Sequence, residues 1–279
     1  MRWMAHRARR MSRRARGLTL LIAIAIAVAC AAVLPLPGNV GAAAVTQRVG
    51  APAPSQSAVT SSTSTAFNGV PVVGALFTSS GGELGPHFCT ASVVHSVHGD
   101  LAVTAAHCLA SVPGQVVFVP GYANGKKPYG VWPVTAVYTN QAWQSSQDPD
   151  DDVAFLRLSA SSSGVPIEDV TGAERLGTGS ADPALVRVIG YPGDTEQPVS
   201  CVNWARHFSA TQLEFDCDGY TDGTSGGPIL ADASGTSGHG TIVGVIGGYE
   251  QGGDTSDVSY APAFGATVTA LYHQAEAGS

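Results

Sequence analysis

The sequence predicts an all-β protein: two six-stranded antiparallel β-barrels packed side by side, with a short C-terminal helix. Three observations carry that expectation. Glycine supplies 34 of 279 residues, about 12% against a typical ~7%. Charged residues are only 13%, about half the usual share. Together these exclude a coiled coil, a long helical repeat and a charge-driven disordered chain. Second, short β-prone runs bounded by turns recur along two stretches of the chain. Third, helical periodicity shows only near the end.

In chain order, the first series runs Val70 to Phe77, Thr90 to Val94, Leu101 to Thr104, Val116 to Val119, Val131 to Val137 and Val153 to Leu158. Ser159-Ala160-Ser161-Ser162-Ser163-Gly164 follows, with neither charge nor periodicity, and reads as a linker between lobes. The second series runs Ala184 to Ile189, Thr211 to Phe215, Pro228 to Leu230, Thr241 to Ile246 and Asp257 to Ala261. Two sets of about this size suit two small barrels or sandwiches, the first over about 67–160 and the second over about 165–265. Val268, Leu271 and Tyr272 then fall at i, i+3 and i+4, one apolar stripe of a helix at about 265–275.

The start of the chain reads as an address. Seven arginines lie within the first 16 residues, Leu18 to Leu36 is almost unbroken apolar sequence, and Gly41-Ala42-Ala43-Ala44 follows. A basic start, an apolar centre and a small-residue end describe a secretory signal peptide over residues 1–44. The alternatives are an uncleaved membrane anchor at residues 18–36, a lipid-modified Cys30 and, from the arginine pairs, a twin-arginine route. Residues 45–66, rich in Ser, Thr, Ala and Pro, are expected to be a disordered pro-segment or linker. The two-barrel domain then takes 67–279.

Half of the 14 basic residues are spent in that start, so residues from 45 onward hold seven bases against all 21 acids, a net −14. Such a body repels phosphate backbones, and no nucleic-acid partner is expected. A monomer needing no cofactor or metal is the expectation, with membrane contact only through an uncleaved N-terminal segment. Beyond residue 44 the cysteines are Cys89, Cys108, Cys201 and Cys217. An even count in an exported chain reads as two disulfides. Of three possible pairings, the two local loops are the simplest, and a zinc site is the alternative.

Three local patterns carry chemistry: Thr104-Ala105-Ala106-His107-Cys108, Asp150-Asp151-Asp152-Val153-Ala154, and Asp222-Gly223-Thr224-Ser225-Gly226-Gly227-Pro228. A hydroxyl attacks an amide only beside a base that works near neutral pH. Imidazole is that base, and a buried carboxylate fixes its tautomer. Glycines next to the serine let backbone N–H groups reach the oxyanion. Singly, each pattern has a plainer reading: a core or surface histidine (as for His87, His95, His98, His207, His239 and His273), a solvated acidic face or calcium loop, a tight turn. Jointly, in the order His, Asp, Ser, they point to nucleophilic hydrolysis.

From about Val70 to Ala261 the chain resembles the chymotrypsin-type (trypsin-like) serine peptidases. Gly190-Tyr191-Pro192-Gly193-Asp194 and Val72-Val73-Gly74-Ala75-Leu76-Phe77 look most like the secreted bacterial branch that includes glutamyl endopeptidases. The resemblance implies two barrels with a cleft between them and a secreted endopeptidase acting on polypeptides. It assigns the general base to His107, the orienting carboxylate to Asp152, the nucleophile to Ser225, and the oxyanion hole to the N–H groups of Gly223 and Ser225. It implies a Cys89–Cys108 disulfide, leaving Cys201–Cys217. Thr224 stands where digestive members carry an aspartate that salt-bridges a new N-terminus, so maturation by that ion pair is not expected. For the substrate pocket the candidates are Gly219, Gly247, Tyr249 and Asp257, with Asp257 reaching a Lys or Arg side chain; its plainer reading is a turn residue. The alternatives are a non-catalytic binding protein on the same scaffold and a secreted esterase or lipase. The latter fits poorly, because its Asp and His would have to follow Ser225 in the remaining 54 residues.

Overall fold

The computed structural model of the chain describes residues 62–177, 179, 184–233 and 239–278. The expected signal segment, the anchor alternative at 18–36, Cys30 and most of the expected pro-segment lie outside the described residues. The chain is already paired at β1 (Thr65–Ala66), before the expected start of order at residue 67. Ser64 N–H donates to the Asp218 carbonyl at 2.8 Å and Asp218 N–H to the Ser62 carbonyl at 2.9 Å. A polar, uncharged segment gains order here because its backbone completes a neighbouring edge.

The first barrel is closed. It holds β2 (Val73–Ser80), β3 (Glu83–Val94), β4 (Leu101–Thr104), β5 (Gln115–Pro120), β6 (Trp132–Thr139) and β7 (Ala154–Leu158), paired in the ring β2-β3-β4-β7-β6-β5. β3 starts well before the expected Thr90. Gly81 and Gly82, both at positive φ (61° and 88°), make the two-residue turn that lets β2 run straight back into it. Short helices α1 (Gln141–Ser146) and α2 (Ile167–Thr171) decorate the connections.

The second sheet is not the closed six-stranded barrel that the sequence predicts. It holds β8 (Arg175–Leu176), β9 (Ala184–Gly190), β10 (Val199–His207), β11 (Gln212–Asp216), β12 (Pro228–Ala231), β13 (Thr241–Val245) and β14 (Val258–Pro262), in the order β14-β11-β10-β9-β12-β13-β8, with β1 on β10. It curls until β13 and β14 approach, but their seam carries only isolated bonds. Gly247 N–H donates to the Tyr260 carbonyl at 3.0 Å and Phe264 N–H to the Val243 carbonyl at 3.0 Å. Pro262 at the end of β14 has no N–H to extend it.

Each barrel has its own core: Leu76, Phe118, Trp132 and Leu156 in the first, and Val188, Leu213, Phe215 and Ile229 in the second. A third cluster takes residues from both, including Phe77, Tyr122, Tyr191 and Leu230, together with Val268, Leu271 and Ala275 of α3 (Ala266–Ala277). The predicted C-terminal stripe therefore covers the junction, and Tyr272 adds a hydrogen bond to the His95 carbonyl at 2.8 Å.

Candidate active site

His107 leaves β4 on a single 3-10 turn, Ala106–Leu109. That turn is fixed from both sides. Thr104 Oγ1 donates to the Thr90 carbonyl at 2.7 Å, and a disulfide joins Cys108 to Cys89 on β3. Asp152 follows a second 3-10 turn, Pro149–Asp151, whose start is capped by the Asp148 carboxylate accepting from Asp150 N–H. Its side chain is 1% exposed, and a carboxylate so placed needs donors. It has three. His107 N–H reaches Oδ1 at 2.8 Å, His107 Nδ1 lies 2.7 Å from Oδ2, and Gly248 N–H from the other barrel donates to Oδ2 at 2.8 Å. With Nδ1 carrying its hydrogen towards Asp152, the Nε2 lone pair is left facing the cleft.

Ser225 sits in the loop between β11 and β12. Its carbonyl accepts from Thr90 N–H at 2.8 Å, and both it and His107 line one cleft of about 1200 Å3 between the barrels. No hydrogen bond joins Ser225 Oγ to His107 Nε2 in this structure; such contacts tighten when substrate binds. Glycine is required on both sides of the serine. A Cβ at Gly226 (φ +80°) would lie 2.1 Å from Thr104 Oγ1, and one at Gly223 (φ +95°) 2.6 Å from Gly193 N.

The N–H groups of Gly223 and Ser225 have no protein acceptor among the described residues. Their direction is set by neighbouring carbonyls. Gly193 N–H donates to the Asp222 carbonyl at 2.7 Å, and Thr90 Oγ1 donates to the Gly223 carbonyl at 3.0 Å. Because C=O and N–H of a trans peptide point opposite ways, holding the Asp222 carbonyl turns the Gly223 N–H the other way. The loop carrying Gly193 is tied in turn to the first barrel: His87 Nε2 meets the Thr195 carbonyl at 2.9 Å, and Tyr122 OH bonds the Glu196 carboxylate. Thr224 is buried, its hydroxyl turned onto the Thr221 carbonyl at 2.7 Å.

None of the expected pocket residues Gly219, Gly247, Tyr249 and Asp257 is among the residues that line the cleft, although each is close in sequence to one that does. Gly219 lies behind the wall, where an added Cβ would meet Ser64 Oγ at 2.2 Å. Gly247 abuts Asp152, and Tyr249 is 39% exposed beside Glu250, which lines the cleft. Asp257 is exposed in a tight turn, spends its carbonyl on Cys217 N–H and is not among the lining residues. Asp254 and Ser256 from the same segment line the cleft instead, because the turn faces residue 257 outward. Tyr220 is a wall residue; burial holds its phenol well above the ordinary range, so it stays a donor, to the Val188 carbonyl at 2.8 Å.

Sequence reasoning missed Thr90, Gly193, His87 and Gln212. Gln212 is a buried strut: Nε2 donates to the Pro149 carbonyl at 3.0 Å and to Asp150 Oδ1 at 2.8 Å, while Oε1 accepts from Tyr249 N–H at 3.2 Å. It joins the turn before Asp152 to the strand across the cleft. Cys89, His107 and Cys108 come within metal-ligand distance of one another, but both sulfurs are spent in the disulfide and offer no thiolate. The second disulfide joins Cys201 to Cys217.

Solved structures share this architecture. The protease Anisep of Arthrobacter nicotinovorans is 27% identical with a TM-score of 0.66, covering 77% of this chain and 99% of its own. A thermostable serine protease, AL20, from an extremophilic microorganism is 24% identical with a TM-score of 0.64, covering 75% and 98%. A Glu endopeptidase is 16% identical with a TM-score of 0.62, covering 77% and 97%. At their identities the last two speak for the fold alone. No curated protein sequence matches the chain. The family model of the trypsin-like peptidase domain matches residues 89–245, a span that starts at the Cys89 half of the disulfide beside His107 and runs past Ser225 into β13. The chain therefore belongs to the trypsin-like peptidase family and is a serine endopeptidase.

Proposed function

We propose that the chain is a secreted endopeptidase in which Ser225 is the nucleophile, His107 its general base, Asp152 the carboxylate that orients the imidazole, and the N–H groups of Gly223 and Ser225 the oxyanion hole. The observation that supports this most is the buried Asp152 carboxylate, shared by His107 Nδ1 and Gly248 N–H across the cleft. His107 Nε2 takes the Ser225 Oγ proton as Oγ bonds to the substrate carbonyl carbon. The carbonyl electron pair moves onto oxygen, where the two N–H groups receive it. Collapse breaks the C–N bond, the amine leaves with the proton from Nε2, and water repeats the sequence to free the acid and restore Ser225. With Thr224 in place of an aspartate, the hole needs no N-terminal ion pair; the bond from Gly193 N–H to the Asp222 carbonyl supplies the constraint.

Two disulfides suit an oxidising compartment, and export by a signal peptide at residues 1–44 fits them. The acidic body is monomeric and does not bind nucleic acid.

Labelling with a fluorophosphonate, followed by peptide mapping, should find the adduct on Ser225. Ser225→Ala and His107→Ala should each lower turnover roughly 10⁶-fold, and Asp152→Asn nearer 10⁴-fold. An adduct on another residue, or full turnover in Ser225→Ala, would refute the assignment.

A further inference from the structure

Three aromatic rings meet beside Glu250, a residue that lines the cleft, without being buried in either core. Phe208 lies in the turn between β10 and β11, Tyr249 in the 3-10 turn after Gly247–Gly248, and Tyr260 on β14. Their centroids are 4.9 Å (Phe208–Tyr249), 4.8 Å (Phe208–Tyr260) and 5.0 Å (Tyr249–Tyr260) apart. The rings are inclined by 37°, 58° and 85°, so they form a cup rather than a stack. Phe208 is 45% and Tyr249 39% exposed, and Glu250, the residue after Tyr249, lines the cleft.

The charges that act on Tyr249 and Tyr260 are the carboxylates of Glu250, Asp254, Glu214 and Asp216, and the cleft beside them is acidic too. The cleft lining includes Asp194, Asp222, Glu250 and Asp254 and, among the described residues, no lysine or arginine. No ion pair neutralises any of the four among the described residues. A hydrogen bond from its hydroxyl to Glu250 holds Tyr249 above the ordinary phenol value. Burial and then the charges of Glu214 and Glu250 do the same for Tyr260. The Arg206 cation, near the end of β10, is already paired with Glu214 and Asp216, which leaves Glu250 and Asp254 without an ion pair among the described residues. Aromatic faces attract cations through their quadrupole, and neighbouring carboxylates add to that attraction.

We propose that Phe208, Tyr249 and Tyr260 form a cation-accepting subsite beside the cleft, next to Glu250, and that the favoured substrates are polypeptides that place an arginine or lysine side chain in it. The subsite rests on the serine endopeptidase reading, since it addresses the same bound chain. An apolar occupant would bury carboxylates without a partner, whereas a guanidinium or ammonium lies on the rings with its charge towards Glu250.

The test uses an otherwise neutral peptide of known cut site. A single arginine is walked across four positions before and three after the cut, each compared with citrulline, its uncharged isostere. At one position arginine should raise kcat/KM roughly three- to thirtyfold, the range of such contacts. Phe208→Leu and Glu250→Gln should each reduce that ratio at least twofold at that position and leave the ratios elsewhere unmoved. Fluorophosphonate labelling of Ser225 in every variant separates this proposal from the reading beneath it. Labelling with no arginine preference, with a preference that Phe208→Leu does not change, or with a leucine preferred at that position overturns the subsite and spares the serine mechanism. Absence of labelling in active wild type overturns the mechanism instead.

Discussion

At the scale of single residues, the three local patterns that hold His107, Asp152 and Ser225 were the most legible part. His107, Asp152 and Ser225 each stand in a short local pattern, and the fold gathers His107 and Asp152 into hydrogen-bond contact with Ser225 on the same cleft. What could not be read were residues that act through backbone groups. Thr90 receives and gives bonds to Tyr191, Gly223 and Ser225, partners more than 100 positions away, and no local pattern marks such a role. Gly193 is the same case, and it carries a prediction. Gly193→Pro removes the N–H that holds the Asp222 carbonyl, so the Gly223 N–H loses its direction. The expected drop in kcat is about 10²- to 10³-fold, as for loss of one oxyanion donor. Gly193→Ala keeps the N–H, with its Cβ 3.2 Å from the Asp222 carbonyl oxygen, and should stay within about tenfold of wild type. Steady-state kinetics on both variants, with thermal melts to show that each is folded, decide it. A Pro variant with wild-type kcat would remove Gly193 from the mechanism. Asp257 failed for the opposite reason: proximity in sequence to the pocket wall says nothing about which way a tight turn faces.

At the scale of elements, strands with apolar runs were read correctly and strands with mixed faces were not. β10 escaped because Val202 and Trp204 point to solvent while Cys201 and Ala205 point inward, an alternation with apolar residues on both faces that leaves no polar–apolar signal. β1 escaped because Thr65 and Ala66 are exposed, so nothing but main-chain pairing with Val199 and Ser200 makes them a strand. That pairing has a measurable consequence. A chain that begins at Phe67 loses the partners of Asp218 N–H and C=O and uncovers Gly219 behind the pocket wall. Relative to a chain that begins at Ser62 it should be less stable by about 1–3 kcal/mol, the range for a few hydrogen bonds left unmade. Urea titration of the two chains measures the difference. Equal midpoints would show that β1 is an ornament and that residues 62–66 belong with the segment before them.

At the scale of the whole molecule, the two barrels are joined by a covered seam, and one buried acid in it makes stability depend on pH. Glu174 is fully buried. Its N–H donates to the Val93 carbonyl and its carbonyl accepts from His95 N–H, while Oε2 accepts from Gly240 N–H beside β13. Oε1 has no hydrogen-bond partner among the described residues. Burial raises its pKa to about 7, against the lowering pull of Gly240 N–H, Arg175 and Arg187. The sign follows from which state holds the proton. Below the unfolded value near 4.5 both states are protonated and the group is neutral in its effect. As pH rises towards 7 the unfolded chain releases the proton while the folded chain keeps it, so stability falls by about 1.4 kcal/mol per unit and by about 3 kcal/mol in all. Above about 7 both states are ionised and the loss is complete. Glu174→Gln keeps an acceptor for Gly240 N–H and cannot ionise. It should match wild type near pH 4.5 and exceed it by about 3 kcal/mol at pH 8. Chemical denaturation of both proteins across that range tests it. The difference between the two proteins isolates this group, because every other titration is common to both. A difference that does not grow between pH 5 and 7 would mean that Glu174 is ionised in the fold at low pH and that the seam solvates its charge.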